Sequence, residues 1–186
     1  VSGAFRERLH RLDLRVYAAI AEAGTPRLDA FMARLTSAAD YSRLSLAAAA
    51  ALSLAGGPEG RRASLRGLTC LGVTALGVNA VVKPLTRRRR PDPVAAGIPA
   101  ARRVRMPRSA SFPSGHTAAA VAFAAGVGRE LPAAGAALGA LAAAVGYSRV
   151  HTGVHYPGDV VAGALCGLAA AAVADRAWRE AAAPPE

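Results

Sequence analysis

Residues 133–146 read AAGAALGALAAAVG, a run without one polar side chain. A helix on the surface of a water-soluble protein needs a polar face, so this stretch must be enclosed by other helices or by lipid. Segments 41–55, 65–85, 117–131 and 160–178 are also apolar nearly all round. With 133–148 they predict an all-α integral membrane bundle of about five transmembrane helices. Several are shorter than the roughly 20 residues that usually span a bilayer. Flanking residues that extend the helix and snorkel can make up the length. The apolar residues are mainly alanine, valine and leucine, small enough for the close approach that holds membrane helices together. A soluble all-α core is the competing reading, and it lacks the polar faces it would need. Cys70 and Cys166 lie inside apolar runs and read as small hydrophobes, not as a disulfide.

At 186 residues the chain reads as a single domain in three parts. These are N-terminal helices over 1–40, a core over 41–178 and a tail over 179–186. The first part predicts two amphipathic helices broken at GTPRLD. In the first of them Leu9, Leu12, Val16 and Ile20 form a partial apolar stripe flanked by Arg6, Arg8, Arg11 and Arg15. That pattern fits a helix on a membrane surface or packed beside a bundle. It carries too much charge for a cleavable signal peptide. Segments 55–62 and 128–132 read as short turns. Segment 87–113 is a long connection rich in proline and arginine, of the kind that is either functional or disordered. The net charge of +11 calls for an anionic partner: nucleic acid, acidic lipid headgroups or a phosphorylated substrate.

Three polar clusters interrupt the apolar pattern. The first is KPLTRRRRPDP, beginning at Lys83 and containing Arg90. Alone it fits a positively charged membrane flank or a nucleic-acid patch. The second is SFPSGHTAAA, where Ser114, Gly115 and His116 lead into an apolar helix. Free backbone N–H groups at a helix N-terminus bind phosphate, although Ser114 also suits a plain N-cap. The third is YSRVHTGVHYPGD, which holds Arg149, His151, His155 and Asp159. An aspartate beside a histidine can fix its tautomer and stabilise its charged form. Asp159 also suits an N-cap. If neighbouring helices run antiparallel, all three clusters fall on one membrane face. That coincidence predicts an anion pocket with Lys83, Arg90 and Arg149 for charge, backbone amides near Ser114–His116, and two histidines for proton or phosphoryl transfer.

These blocks resemble the signature of the type 2 phosphatidic acid phosphatase family, K-x6-R-P, P-S-G-H and S-R-x5-H-x3-D. Here it reads Lys83-x6-Arg90-Pro91, Pro113-Ser114-Gly115-His116 and Ser148-Arg149-x5-His155-x3-Asp159. The resemblance covers 83–159 and the apolar helices around it; the first 40 residues add nothing to it. It implies that His155 is the nucleophile and forms a phosphohistidine. It implies that Asp159 orients His155, and that His116 protonates the leaving alkoxide and then activates water. Lys83, Arg90, Ser114, Gly115 and Arg149 are implied to hold the phosphate oxygens. No metal or other cofactor is expected. His151 lies outside the pattern, and so do Arg87, Arg88 and Arg89, which would steer a headgroup or flank the membrane.

A site embedded in a membrane implies a lipid phosphate: phosphatidate, phosphatidylglycerol phosphate, a polyprenyl pyrophosphate or a polyprenyl-phosphoryl sugar phosphate. The expected partners are that substrate and the bilayer, with no nucleic acid, and the sequence carries no signal for oligomeric state. On the catalytic face fourteen arginines are spare, those from Arg6 to Arg43 and those of the 87–108 segment. Six lie opposite: Arg61, Arg62, Arg66, Arg129, Arg176 and Arg179. The positive-inside rule then predicts a multi-pass plasma-membrane protein with its site facing the cytoplasm. A vanadate-dependent haloperoxidase would share the pocket but not the apolar spans. A non-enzymatic lipid-phosphate-binding protein would not need both histidines and Asp159. A nucleic-acid binder would account for the arginines alone.

Overall fold

Proline sets many of the helix starts, where its missing N–H costs nothing. The computed structural model describes residues 3–23 and 25–182. Residues 1–2, 24 and 183–186, which belong to the expected N-terminal helices, their break and the tail, lie outside the described residues. Helix α1 (Gly3–Glu22) is followed by α2 (Pro26–Ala38), a 3-10 turn (Asp40–Ser42) and α3 (Arg43–Ala55). Helix α4 (Gly57–Leu76) widens into a π-helical stretch (Gly77–Val82) and continues as α5 (Lys83–Thr86). After the long connection come α6 (Gly115–Val127), α7 (Pro132–His151) and α8 (Pro157–Ala182). Helix α8 thus runs beyond position 179, where the tail was expected.

The chain is an all-α integral membrane bundle. Three helical stretches are long and apolar enough to cross a membrane: Gly57–Thr86, Pro132–His151 and Pro157–Ala181. Only 22–39% of their most apolar windows is buried, so most of that surface faces outward. Leu65, Leu76, Leu85, Val161, Leu165 and Val173 are among the exposed apolar side chains. Lipid solvates such a surface; water would not. The two remaining apolar helices, α3 and α6, have 13 residues each, about 20 Å of helix against a hydrocarbon core of about 30 Å. Helix α6 does not need to span alone, because it is wrapped by α4, α7 and α8. Its Ala118, Ala122, Phe123 and Val127 are fully buried.

Small residues let these helices close on one another. A Cβ placed on Gly126 of α6 would fall 2.8 Å from Gly67 Cα of α4. A Cβ on Gly163 of α8 would fall 2.5 Å from the Ser114 carbonyl at the start of α6. The 55–62 segment is mostly helix, not turn. The reversal is confined to Gly56 and Gly57, the latter at φ +60, and Pro58 sits in the first turn of α4.

The N-terminal helix α1 separates the two readings of its stripe. Leu9, Leu12 and Val16 are exposed, as on a helix whose apolar stripe meets the membrane, while Asp13, Tyr17 and Ala21 face inward against the bundle. Apolar residues outward and an aspartate inward is the pattern of a helix against lipid on one side and a polar site on the other. The long connection is ordered packing, not free coil. Ile98 and Arg102 are fully buried, and Tyr17, Ala21, Ile98 and Val150 form a local core. Arg102 pairs with Asp29 at 2.8 Å and donates to the Ile20 carbonyl at 3.0 Å, fastening the loop to α1 and α2. Both cysteines are free thiols, Cys70 buried and Cys166 partly so.

Candidate active site

The three sequence blocks meet at one end of the bundle. Ser114 donates its backbone N–H to the Asp159 carbonyl at 2.9 Å, joining the second block to the third. Thr86 Oγ1 donates to the Phe112 carbonyl at 2.8 Å, joining the end of α5 to the second block. Arg90 Nη1 lies 3.1 Å from His155 Nε2 and donates to the Val154 carbonyl at 3.1 Å, joining the first block to the third.

His155 occupies the turn between α7 and α8 and is 1% exposed. Its Nδ1 lies 3.4 Å from Ser111 Oγ and 3.5 Å from Asp159 Oδ2. Ser111 Oγ donates a short hydrogen bond to the same Asp159 oxygen. Arg90 can only donate, so Nε2 is the unprotonated ring nitrogen and Nδ1 carries the proton toward Ser111 and Asp159. Burial is the main force holding the imidazole neutral. The positive fields of Arg90 and Arg149 add to it, and the hydrogen bond to Asp159 opposes it. The resulting pKa is lowered to about 4. A neutral histidine whose unprotonated Nε2 is released when a phosphate takes up the Arg90 guanidinium can act as a nucleophile.

Asp159 is fully buried and its oxygens are fully engaged. Oδ2 also accepts the Tyr156 N–H at 3.0 Å, and Oδ1 accepts from Arg88 Nη1 at 2.7 Å. Asp159 is in the first turn of α8, so it serves the helix start and His155 together.

His116, in the first turn of α6, places Nε2 2.9 Å from Asp40 Oδ1. Asp40 also lies 3.7 Å from Arg149 Nη1. Asp40 opens the tight turn in which Tyr41 and Ser42 adopt φ of 56° and 57°. Non-glycine residues enter that region at a cost of about 1–2 kcal/mol each, so strain is concentrated beside His116. Arg149 is 2% exposed and donates to Thr36 Oγ1 at 2.6 Å. Lys83 reaches the start of α6, where a Cβ on Gly115 would lie 3.2 Å from its Nζ. Glycine at 115 therefore keeps the ammonium close to the α6 N-terminus. Burial pushes the Arg90 guanidinium below its usual range, with Asp159 pulling the other way. Lys83, Arg90 and Arg149 thus form a concentration of positive charge around His155 and His116.

Ser114 is the α6 N-cap: its Oγ accepts the Thr117 N–H at 3.4 Å and lies 3.0 Å from Thr117 Oγ1. That is the capping alternative left open by the sequence, with the hydroxyl buried against the helix. His151 is not in the cluster. It is fully buried, with Nε2 3.0 Å from Asp29 Oδ1 and Nδ1 3.3 Å from the Tyr147 hydroxyl, and it fastens α7 to α2. Among the described residues no group of three histidine, cysteine or acidic side chains converges in a way that could hold a metal ion. Asp13, Thr36, Asp40 and Ser111 carry no role in the sequence reading, and Arg88, expected to steer a headgroup or flank the membrane, is bonded to Asp159 and Asp13 instead. All lie outside the three signature blocks or between their fixed positions. The one available signal was Asp13, an acid interrupting an arginine-rich helix.

The model of the PAP2 superfamily matches residues 65–181, more than half of the chain. Decaprenylphosphoryl-5-phosphoribose phosphatase of Mycobacterium tuberculosis, in two strains, is 35% identical over 102 residues, 53% of this chain and 52% of the relative. The chain thus spans about half the length of the curated relatives it matches. The crystal structure of a transmembrane PAP2 type phosphatidylglycerolphosphate phosphatase from Bacillus subtilis superposes with a TM-score of 0.69 at 25% identity. That match covers 93% of this chain and 87% of the other. LpxE of Aquifex aeolicus superposes with a TM-score of 0.70 at 24% identity, over 89% and 95% of the two chains, a likeness of fold.

Proposed function

The chain belongs to the PAP2 superfamily, and from that premise we propose that it is a membrane lipid phosphatase working through a phosphohistidine. The observation that carries the reading is the environment of His155. One ring nitrogen faces Asp159 and Ser111, and the other is unprotonated beside Arg90.

In the first step His155 Nε2 bonds to phosphorus and the bond from phosphorus to the lipid oxygen breaks. His116, hydrogen-bonded to Asp40 and charged once the phosphate anion offsets the neighbouring Arg149 and Lys83, gives its proton to the departing alkoxide. Asp159 stabilises the positive charge that the phosphorylated imidazole acquires. In the second step His116 takes a proton from water, the oxygen of that water bonds to phosphorus, and the N–P bond breaks. Inorganic phosphate leaves and His155 returns to its neutral form. Lys83, Arg90 and Arg149 hold the phosphoryl oxygens with the free amides at Gly115 and the start of α6. Ser114 supports this seat by capping α6. Most of the rate gain in phosphoryl transfer comes from such fixed charge and positioning.

The substrate class is a lipid carrying a terminal phosphate or pyrophosphate. The named relatives point to a polyprenyl-phosphoryl sugar phosphate or phosphatidylglycerol phosphate. Arginines of the N-terminal helices and long connection outnumber those at the other end, which supports a plasma-membrane protein with the site on the cytoplasmic side. The test is phosphate release by the full chain in detergent, with EDTA present, across phosphatidate, phosphatidylglycerol phosphate and prenyl phosphates. We expect release from at least one lipid, inhibition by vanadate, and none from His155→Ala. Full activity of that variant would remove the nucleophile assignment; no release from any lipid would remove the reading.

A further inference from the structure

Arg88 lies outside the signature positions, and a free arginine there would be available to a substrate headgroup. Its guanidinium is not free. Nη1 donates to Asp159 Oδ1 at 2.7 Å and Nη2 donates to Asp13 Oδ2 at 2.6 Å. Its plane lies over the Tyr156 ring, 4.4 Å from the centroid. The second oxygen of Asp13 accepts the Gly158 N–H at 2.6 Å. Asp13 is 8% exposed and comes from the middle of α1. Two side chains from distant parts of the sequence therefore grip the first turn of α8 on both sides of its carboxylate. A Cβ on Gly158 would fall 3.0 Å from Asp13 Oδ2, so the grip also depends on a bare backbone there.

We propose that Arg88 and Asp13 are positioning residues for the reaction, a clamp from the N-terminal helix that holds Asp159 in the orientation His155 requires. The assignment rests on the phosphatase reading for its consequence in rate. Its structural content, the setting of the His155 tautomer through Asp159, stands apart from any substrate. Asp159 has two oxygens to place. Oδ2 is shared by Ser111, Tyr156 and His155. With Oδ1 released, the carboxylate can rotate about its side-chain torsions and present either oxygen at a poorer angle to Nδ1. The planar fork of Arg88 removes that freedom, and Asp13 removes the freedom of Arg88. Lysine would keep the charge and lose the fork.

Eight proteins in detergent test this: wild type, Arg88→Gln, Arg88→Lys and Asp13→Asn, each with and without Asp159→Asn. Arg88→Gln should lower kcat about ten- to a hundred-fold, the scale at which partners of a site ligand act, with KM little changed. Arg88→Lys should recover part of the loss, and Asp13→Asn should lose less than Arg88→Gln. In the Asp159→Asn background Arg88→Gln should cost nothing more, because both act on the same group. An equal further loss there, or a rise in KM with kcat intact, would overturn the clamp and make Arg88 a headgroup or packing residue. Nitrogen-15 spectra of the histidines give a readout that needs no turnover. His155, assigned by comparison with His155→Asn, should show a single Nδ1–H tautomer in wild type and a mixture in Arg88→Gln. An unchanged tautomer in the variant overturns the clamp even if no lipid in the panel is a substrate. An active wild type with an unaffected Arg88→Gln overturns the clamp and leaves the phosphatase reading intact.

Discussion

Gly163→Ala should disable the site from a distance. Gly163 is four residues beyond Asp159 on α8, so the two sit one above the other on the same helix face. A Cβ there would lie 2.5 Å from the Ser114 carbonyl oxygen and 3.3 Å from Ser114 Cβ, whereas ordinary contact starts at 3.4 Å. Helices α8 and α6 would have to separate by about 0.9 Å at that point. Ser114 cannot yield by itself. Its N–H is bonded to the Asp159 carbonyl, its hydroxyl caps α6, and it is fully buried. The displacement therefore moves the Asp159 turn relative to His116. Misplacement of about 1 Å costs on the order of 100-fold in rate. Overpacking costs about 1–3 kcal/mol of stability, offset by about 1 kcal/mol from replacing a helical glycine with alanine. The assay is kcat/KM for phosphate release with Tm measured in the same detergent. Gly139→Ala on α7 is the control, since a Cβ there meets nothing within 4 Å. It should retain activity and an equal or higher Tm. Wild-type kcat/KM and Tm in Gly163→Ala would refute the claim that this contact sets the register of the two histidines.

Two further outcomes follow from single side chains. Asp40→Asn should lower kcat about tenfold for an alkyl lipid phosphate, a part of the roughly 10²–10⁴-fold that general acid catalysis supplies, because His116 loses the carboxylate that favours its charged form. Hydrolysis of p-nitrophenyl phosphate, whose leaving group needs no proton, should fall much less; equal losses on both substrates would refute the acid role. Stability should depend on pH through His155, whose pKa drops from 6.5 in the unfolded chain to about 4 in the folded protein. Between these values the unfolded chain binds more protons. The contribution of the neutral imidazole is therefore complete above pH 6.5 and is lost as pH falls toward 4, about 3 kcal/mol in all. Wild-type Tm should fall more steeply than that of His155→Gln from pH 7 to 4.5, and parallel slopes would refute this.

The signature residues were legible because each block is contiguous and its spacing is fixed locally by a helix end or a turn. Apolar patterning then put the blocks at one end of the bundle, and they do meet there, through Arg90 to His155, Ser114 to Asp159 and Thr86 to Phe112. The partners were not legible for an equally physical reason. Asp13, Thr36 and Asp40 lie on N-terminal elements that belong to no signature block, and nothing local tells a bonding aspartate from a solvated one. The α1 stripe left two readings open because leucine and valine mark burial in water but outward exposure in lipid, and the face that packs on the bundle is the one carrying Asp13 and Tyr17. Helix α4 began earlier than expected because Gly56 and Gly57 complete the reversal alone and leave GRR free to be helical.

The two ends of the bundle use the same residue type to opposite effect. At the end away from His155, Arg66 pairs with Glu130 and with Asp175 at 2.8 Å, and Arg62 and Arg179 pair with the same two acids. Among the described residues every cation there except Arg61 has a carboxylate, and the network binds α4, the α6–α7 turn and α8 together. At the His155 end Arg88 and Arg102 are spent in the same way, on Asp13, Asp159 and Asp29. Among the described residues Lys83 and Arg90 have no carboxylate within salt-bridge distance, and Arg149 has only Asp40 at 3.7 Å. Unneutralised cations gathered at one buried point are unfavourable until an anion arrives, and their mutual repulsion is then what a phosphate relieves. A tally of arginines by membrane face therefore overstates the free charge at both ends. Among the described residues the other arginines of the His155 end without a salt bridge are exposed; the three cations that are not, Lys83, Arg90 and Arg149, are those the signature names, and they gather beside His155 and His116 where a phosphoryl group would sit.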